Sequence, residues 1–278
     1  PGLSRPMTDP MAPRELLAWY LDAGVDEAIG EQPVDRYAAK TIVESAKDGA
    51  ERAPPTPATP MAEPPPSAAQ NPSGPVQTAY DLAAAASSVD ALGRALETFD
   101  DCPLKTTATN LVFCAGSESA RLILIGEAPG AEEDRQVSPF VGPSGKLLER
   151  MLASVGLDRT QVLISNTVFW RPPGNRTPTM VEIATCQPFV ERLIELVAPE
   201  FLVALGGAAA KSLLARNESV GKLRGKWFPY STPRLPRPVQ ATATYHPAYL
   251  LRSPAQKRAV WRDLLAIKKK LADDEPQM

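Results

Sequence analysis

The chain carries three nearly continuous apolar runs of strand length, Arg121–Ile125 (RLILI), Gln161–Ser165 (QVLIS) and Phe201–Leu205 (FLVAL), and a fourth, alternating run at Val239–Thr244 (VQATAT). Runs apolar on both faces predict parallel strands buried in the middle of a sheet. Between them the apolar spacing turns helical over Ser144–Val155, Thr179–Val197 and Gly207–Arg216, and a last helix is predicted at Pro254–Leu271. This alternation predicts a three-layer α/β/α sandwich around a mainly parallel four-stranded sheet. Such sheets carry their working residues on loops at the carboxyl ends of the strands.

Upstream, residues 13–49 have a helical pattern, with Leu16, Leu17, Trp19, Tyr20 and Leu21 in one apolar cluster and a second helix over Tyr37–Ala46. Residues 53–76 are Pro/Ala-rich and predict an extended, disordered tether. The expected organisation is an acidic helical arm (1–52), a linker (53–76) and a main α/β domain (77–278).

Composition adds little to this beyond exclusions. No apolar run approaches the roughly 20 residues needed to span a bilayer. The first residues lack the apolar core of a secretory signal. Three cysteines, Cys102, Cys114 and Cys186, argue against a disulfide scaffold and for a reducing, cytoplasmic setting. Charge changes the picture more. Residues 1–76 hold 6 Lys+Arg against 11 Asp+Glu (net −5), whereas residues 77–278 hold 24 against 21 (net +3). Within 211–237, Lys211, Arg216, Lys222, Arg224, Lys226, Arg234 and Arg237 face Glu218 alone. A local electropositive surface of this kind suits phosphate contact, although a solvated basic loop reads the same way.

The loops after the strands hold the candidate chemistry. The first contains Gly126-Glu127-Ala128-Pro129-Gly130, then Glu132, Glu133 and Asp134, then Pro139 to Gly145 (PFVGPSG). The second begins at Asn166 and continues to Arg171–Arg176 (RPPGNR), and the last is His246–Arg252 (HPAYLLR). Singly these are ordinary: a Gly-Pro-Gly turn, a helix cap at Ser144, a turn asparagine. The single histidine, His246, excludes His-rich metal sites and mechanisms that need two imidazoles. No Walker loop or dinucleotide fingerprint is present. Together the loops supply an aromatic, an amide, carboxylates, an imidazole, an anion-binding helix start and an apolar wedge beside an arginine. That set suits the reading and excision of a base taken out of its stack. Phe140 would stack on the ring and Asn166 would pair with its edge. Leu250 and Leu251 would fill the vacated space. Arg252 and the amides of Gly142, Ser144 and Gly145 would hold phosphates.

From about residue 98 to 271 the chain resembles the family 4 uracil-DNA glycosylases, through GEAPGAEED (126–134), PFVGPSG (139–145), Asn166 with RPPGNR (171–176), LRGKW (223–227) and HPAYLLR (246–252). The resemblance implies hydrolysis of the uracil–deoxyribose bond in DNA, leaving an abasic site. It assigns His246 to the developing oxyanion and Glu127 to the uracil site, with Gly126 and Ala128 beside it. Glu133 is the candidate for orienting water or supporting the sugar cation, and Asn175 for a supporting amide. Ala128 stands where a related family has an aspartate. No lysine falls in the catalytic loop motifs, so a monofunctional enzyme without Schiff-base chemistry is expected. Lys222, Arg224 and Lys226, around LRGKW, are expected DNA contacts of a monomer acting on single- or double-stranded DNA.

The family's four-cysteine iron–sulfur cluster is the point of departure. Its positions read Phe99, Cys102, Trp170 and Cys186, and cubane clusters require four thiolates. No metal or cofactor is therefore expected, with Phe99 and Trp170 filling the space by apolar packing. Three other readings stand beside this one: a base range extended to hypoxanthine or xanthine, a binder of damaged or abasic DNA, and a scaffold whose arm recruits a repair or replication protein. The covalent-trapping variant of the binder requires a histidine in Trp170–Cys186, and none is there.

Overall fold

The computed structural model describes residues 74–273; the expected arm (1–52) and nearly all of the linker lie outside the described residues. Helix α1 (Pro75–Ala85) starts two residues inside the segment assigned to the linker, with Pro75 at its first position. A proline fits there because the missing N–H has no helical partner to lose. Helix α2 (Val89–Thr98) is capped by the Ser88 hydroxyl, which accepts from the Ala91 N–H at 3.1 Å.

The sheet has six strands in the order β1-β3-β2-β4-β6-β5. The four expected runs form its parallel centre: β2 (Leu122–Gly126), β3 (Val162–Asn166), β4 (Phe201–Leu205) and β6 (Val239–Thr244). Two three-residue edge strands, β1 (Cys114–Gly116) and β5 (Phe228–Tyr230), add antiparallel pairs to β3 and β6 and were not expected from the pattern. Every residue of β2, β3 and β4 is buried. Alternation divides them between two cores: Ile123 and Ile125 face one layer, Leu122 and Leu124 the other. The first layer holds α1, α2, α5 (Met180–Val197) and α6 (Gly207–Leu214); the second holds α4 (Pro143–Ala153), α8 (Pro247–Arg252) and α9 (Lys257–Asp273). Short helices α3 (Ala131–Gln136) and α7 (Val220–Leu223) lie in the connections.

Chain order along the sheet runs outward from β2 in both directions, to β3 on one side and β4 on the other, so β2 is a topological switch point. The registers Gly126↔Asn166 and Leu205↔Thr244 bring the carboxyl ends of the parallel strands to one rim. Whatever side chains follow those residues must share a crevice.

Candidate active site

The first two loops are stitched together as they leave the sheet. The Thr167 N–H donates to the Gly126 carbonyl at 2.9 Å, and the Thr167 hydroxyl donates to the Glu127 carbonyl at 2.7 Å. Gly126 has no room for a side chain: a Cβ there would stand 2.5 Å from both Asn166 Oδ1 and Phe140 Cζ. Asn166 and Phe140 are thus held against the same backbone atom. Asn166 is 1% exposed, and its Oδ1 has no hydrogen-bond partner. A buried, unpartnered amide oxygen carries a desolvation cost of about 1–3 kcal/mol, which a ligand donor would relieve.

Phe140 is presented by a strained backbone, with φ at 55°. Two contacts hold it there. The Arg159 guanidinium donates to the carbonyls of Pro139 and Phe140, and Gly145 packs so closely that a Cβ would lie 1.8 Å from the Phe140 oxygen. The Phe140 ring then lies 5.5 Å from the His246 ring, centroid to centroid, at 34°.

His246 is the N-cap of α8, and its Nδ1 accepts from the Ala248 N–H at 3.1 Å. That bond leaves the proton of a neutral imidazole on Nε2. Burial, reinforced by the Arg252 charge and opposed by Glu133, pushes the His246 pKa down to about 4. At neutral pH the ring is therefore an uncharged donor.

Glu127, Ala128, Glu133, Phe140, Ser144, Asn166, Asn175, His246 and Arg252 line one cavity of about 480 Å³, a size in the usual range for small-molecule sites. The two carboxylates differ in what they hold. Glu133 is committed: one oxygen accepts from the Val141 and Gly142 N–H groups at 3.0 and 2.8 Å, the other from the Gly130 N–H at 3.1 Å. It fastens the first loop to the start of α4. The Glu127 carboxylate accepts no hydrogen bond and forms no ion pair among the described residues. The Glu133→Gln variant is expected to lose about 1–3 kcal/mol of stability in denaturant titrations, since its amide end turns a donor toward the Gly130 N–H. Full stability with abolished turnover would return Glu133 to the water.

Several other expectations change in the structure. Gly142, not Ser144, is the N-cap of α4; Ser144 sits one residue beyond Pro143, inside the first turn. The Gly142 amide is taken by Glu133, so any phosphate at this helix start would meet the Ser144 and Gly145 amides. Leu250 is fully buried in the second core layer, whereas Leu251 is 45% exposed, so the two-leucine wedge reduces to one. Arg224 is not a free cation: it forks onto Asp263 at 3.0 and 2.8 Å and onto the Ala259 carbonyl, tying α7 to α9. Lys222 and Lys226 are exposed and do not line the cavity. Asn175 lines it with a left-handed backbone (φ 57°), its Oδ1 accepting from Arg171 Nε at 2.8 Å.

Seven lining residues were not singled out, among them Tyr249, Arg176 and Thr177. Tyr249, whose ring lies 5.0 Å from that of Tyr245, is one helical turn from His246 and was readable from that spacing. Arg176 and Thr177 extend the far wall. Arg176 is fixed by a two-pronged ion pair to Glu182, whose pKa it holds down to about 2.

Behind that wall lie the four positions of the expected cluster. Cys102 and Cys186 are fully buried with their sulfurs 3.9 Å apart, and the hydrogen bond with Cys102, then burial, hold Cys186 well above the ordinary thiol range. Phe99 and Trp170 are buried at 1% and 2% exposure within an aromatic group that includes Phe169 and Phe189. The third thiol, Cys114, is on edge strand β1, pushed up to about 12 mainly by burial. Two thiols and two rings do not fit a four-thiolate cluster. Among the described residues no group of three or more His, Cys, Asp or Glu could hold a metal ion, and no helix is long and apolar enough to cross a membrane.

The sequence model of the Uracil DNA glycosylase superfamily matches residues 113–265. The chain is similar to a Type-4 uracil-DNA glycosylase of Archaeoglobus fulgidus, 35% identical over 195 residues, covering 69% of this chain and 97% of the relative. It is also similar to the Type-4 uracil-DNA glycosylase of Thermotoga maritima, 39% identical over 166 residues, covering 59% of this chain and 84% of the relative. A DNA polymerase of Bacillus phage SP01 is 32% identical over 141 residues, covering 49% of this chain but 14% of the polymerase.

Proposed function

Because the chain belongs to the uracil-DNA glycosylase superfamily, we propose that it hydrolyses the N-glycosidic bond of uracil in DNA after flipping the nucleotide into the cavity below the β2 switch point. The observation that carries this reading is the buried, unpartnered Oδ1 of Asn166, a residue that lines the same cavity as Phe140 and His246. Uracil presents an N–H donor at its pairing edge, which answers that oxygen, and a flat face for Phe140.

In the reaction the C1′–N1 bond breaks and its electron pair leaves with the base. Negative charge builds on a uracil carbonyl oxygen, where the His246 Nε2–H donates. A neutral donor costs nothing to keep uncharged at pH 7, and preorganised donors of this kind are usually the largest catalytic factor. The sugar becomes a cation that adds water, whose proton passes to a base. Glu127 is the carboxylate free for that work, since Glu133 is spent on backbone amides. Arg252 at the mouth would meet a phosphate, and Leu251 would fill the vacated stack. No step calls on a metal, and we read the enzyme as working without the family's cluster, its space taken by Phe99 and Trp170.

Incubation with single- and double-stranded oligonucleotides carrying uracil, hypoxanthine or xanthine, followed by alkali, tests the proposal. Alkali-dependent nicking at uracil, lost in Asn166→Ala, is the expected outcome. Tight retention of uracil DNA without base release would make the protein a binder, and nicking confined to hypoxanthine or xanthine would move the substrate class.

A further inference from the structure

A second concavity, of about 420 Å³, lies between α4 and α9. Its walls are Leu147, Arg150 and Met151 on one side and Lys257, Trp261 and Leu264 on the other, and the buried Leu250 forms its floor. Two helices contribute residues to both this groove and the active site. Ser144 at the start of α4 lines the catalytic cavity, and Leu147, one turn on, lines the groove. In α8, Tyr249 and Arg252 line the catalytic cavity and Leu250 the groove. From Leu147 to Ser154 the α4 wall runs about 10 Å at 1.5 Å per residue.

Trp261 is 41% exposed at this groove and Leu265, one turn later, is 43% exposed. A half-open indole beside Arg150, Lys257 and Arg258, with no carboxylate in the lining, joins an aromatic face to positive charge. The nearby acids are turned elsewhere: Glu149 pairs with Arg159, and Asp263 is buried against Arg224 and Thr244. Helix α9 holds six cations, Lys257, Arg258, Arg262, Lys268, Lys269 and Lys270, against Asp263 and Asp273.

We infer that this groove is a single-strand docking surface, in which a base several nucleotides along from the flipped one stacks on Trp261 while Arg150, Lys257 and Arg258 meet the backbone phosphates. Stacking on an aromatic is sequence-tolerant because every base has a π-face, and basic groups beside it track the backbone. Helix α8, with Tyr249 and Arg252 on the cavity and Leu250 on the groove, stands between the two. A polyanion with flat apolar faces answers both the cationic rim and the half-open indole.

The inference rests on the glycosylase reading, and its test separates the two. Uracil release is measured with the full chain on a single-stranded 25-mer and on a five-nucleotide oligomer too short to reach the groove. Trp261→Ala is expected to raise KM for the 25-mer about tenfold, the lower part of the range for losing one base stack. It leaves kcat on both substrates and KM for the short oligomer as in the parent, and Trp261→Phe restores most of the loss. The Lys257→Glu/Arg258→Glu pair, on exposed positions, is expected to flatten the salt dependence of 25-mer binding by one to two phosphate contacts, about 0.7 logarithmic units each. Equal KM changes on both substrates, or none on either, overturn the groove while leaving the glycosylase in place. A parent chain that is dimeric in sedimentation, with the dimer lost in Trp261→Ala and the KM values unmoved, would assign the groove to a second copy instead. No uracil release by the parent chain removes the ground of both readings.

Discussion

Replacing His246 with alanine lowers kcat on uracil-containing DNA by two to three orders of magnitude while leaving DNA affinity within a few-fold, the scale set by removing one preorganised oxyanion donor. The effect falls on kcat because the donor acts on charge that exists only as the bond breaks. The same residue sets the acid limit of the reaction. The ring is buried beside the Arg252 charge, so its pKa lies at about 4 and not near the ordinary value of 6.5. The acid limb of kcat, where it reports this residue, is therefore expected near pH 4 to 5. Stability follows the same shift with the opposite bookkeeping from a salt bridge. Between pH 6.5 and about 4 the unfolded chain takes up a proton that the folded chain refuses, so folding weakens as pH falls through that window and is indifferent above it. Arg252→Gln, which removes the second cause of the shift, moves the pKa part of the way back up. Because the chain has one histidine, a single imidazole resonance followed by NMR reads both values without assignment. An ordinary pKa near 6.5 in the folded parent chain would remove the neutral-donor argument, and unaltered turnover in His246→Ala would remove the residue from the chemistry.

What the sequence made legible follows the physics of each element. β2, β3 and β4 are buried on both faces, so their residues are apolar but for Ser165 and Asn166 at the end of β3, and they stood out as continuous runs. The edge strands β1 and β5 are three residues each with one face open, too short to impose a period. The loops at the sheet's rim were found because strand ends were found. Their internal arrangement was not, because it depends on partners distant in the chain. Glu127 and Glu133 look alike in GEAPGAEED; only folding shows that Val141 and Gly142 occupy the second. Leu250 and Leu251 are adjacent and equally apolar, and the rotation of a six-residue helix decides which one meets solvent. Arg224 reads as a free cation until Asp263, 39 positions later, is seen to hold it. The cations of α9 stand in the sequence as KRAVWRDLLAIKKK, but only the packing of α4 beside them makes a groove.

The two aromatic substitutions at the expected cluster positions carry the second large effect. Trp170→Ala is expected to destabilise the fold by about 3–5 kcal/mol, the range for truncating a fully buried large aromatic. Folded domains have only about 5–15 kcal/mol in hand, so one substitution takes a large share. The cost arises because Trp170 does not stand alone. Its ring meets Phe169 edge-on at 6.3 Å, Phe169 meets Phe113 at 5.6 Å and Phe189 at 6.5 Å, and Phe189 meets Phe99 at 5.1 Å. Truncation opens a void that links β3's exit to α5 through this chain of rings. A cluster would brace the RPPGNR loop by covalent bonds; on the reading proposed above the brace is packing, and the loop begins at the very next residue. Trp170→Ala is therefore expected to lower kcat/KM through the Asn175–Arg176 wall as well, with the His246 resonance still titrating at its parent value. Denaturant titration of the parent chain with and without a strong iron chelator supplies the control: the midpoint should not move, and the purified protein should show no visible absorption band. An iron-dependent band or midpoint in the parent chain, or a Trp170→Ala cost below about 1 kcal/mol, would mean that something other than aromatic packing holds this corner. The converse substitution completes the argument. With Phe99→Cys and Trp170→Cys together, four thiols stand at the family's positions, and anaerobic loading with iron and sulfide should restore part of the stability that loss of the two rings removes.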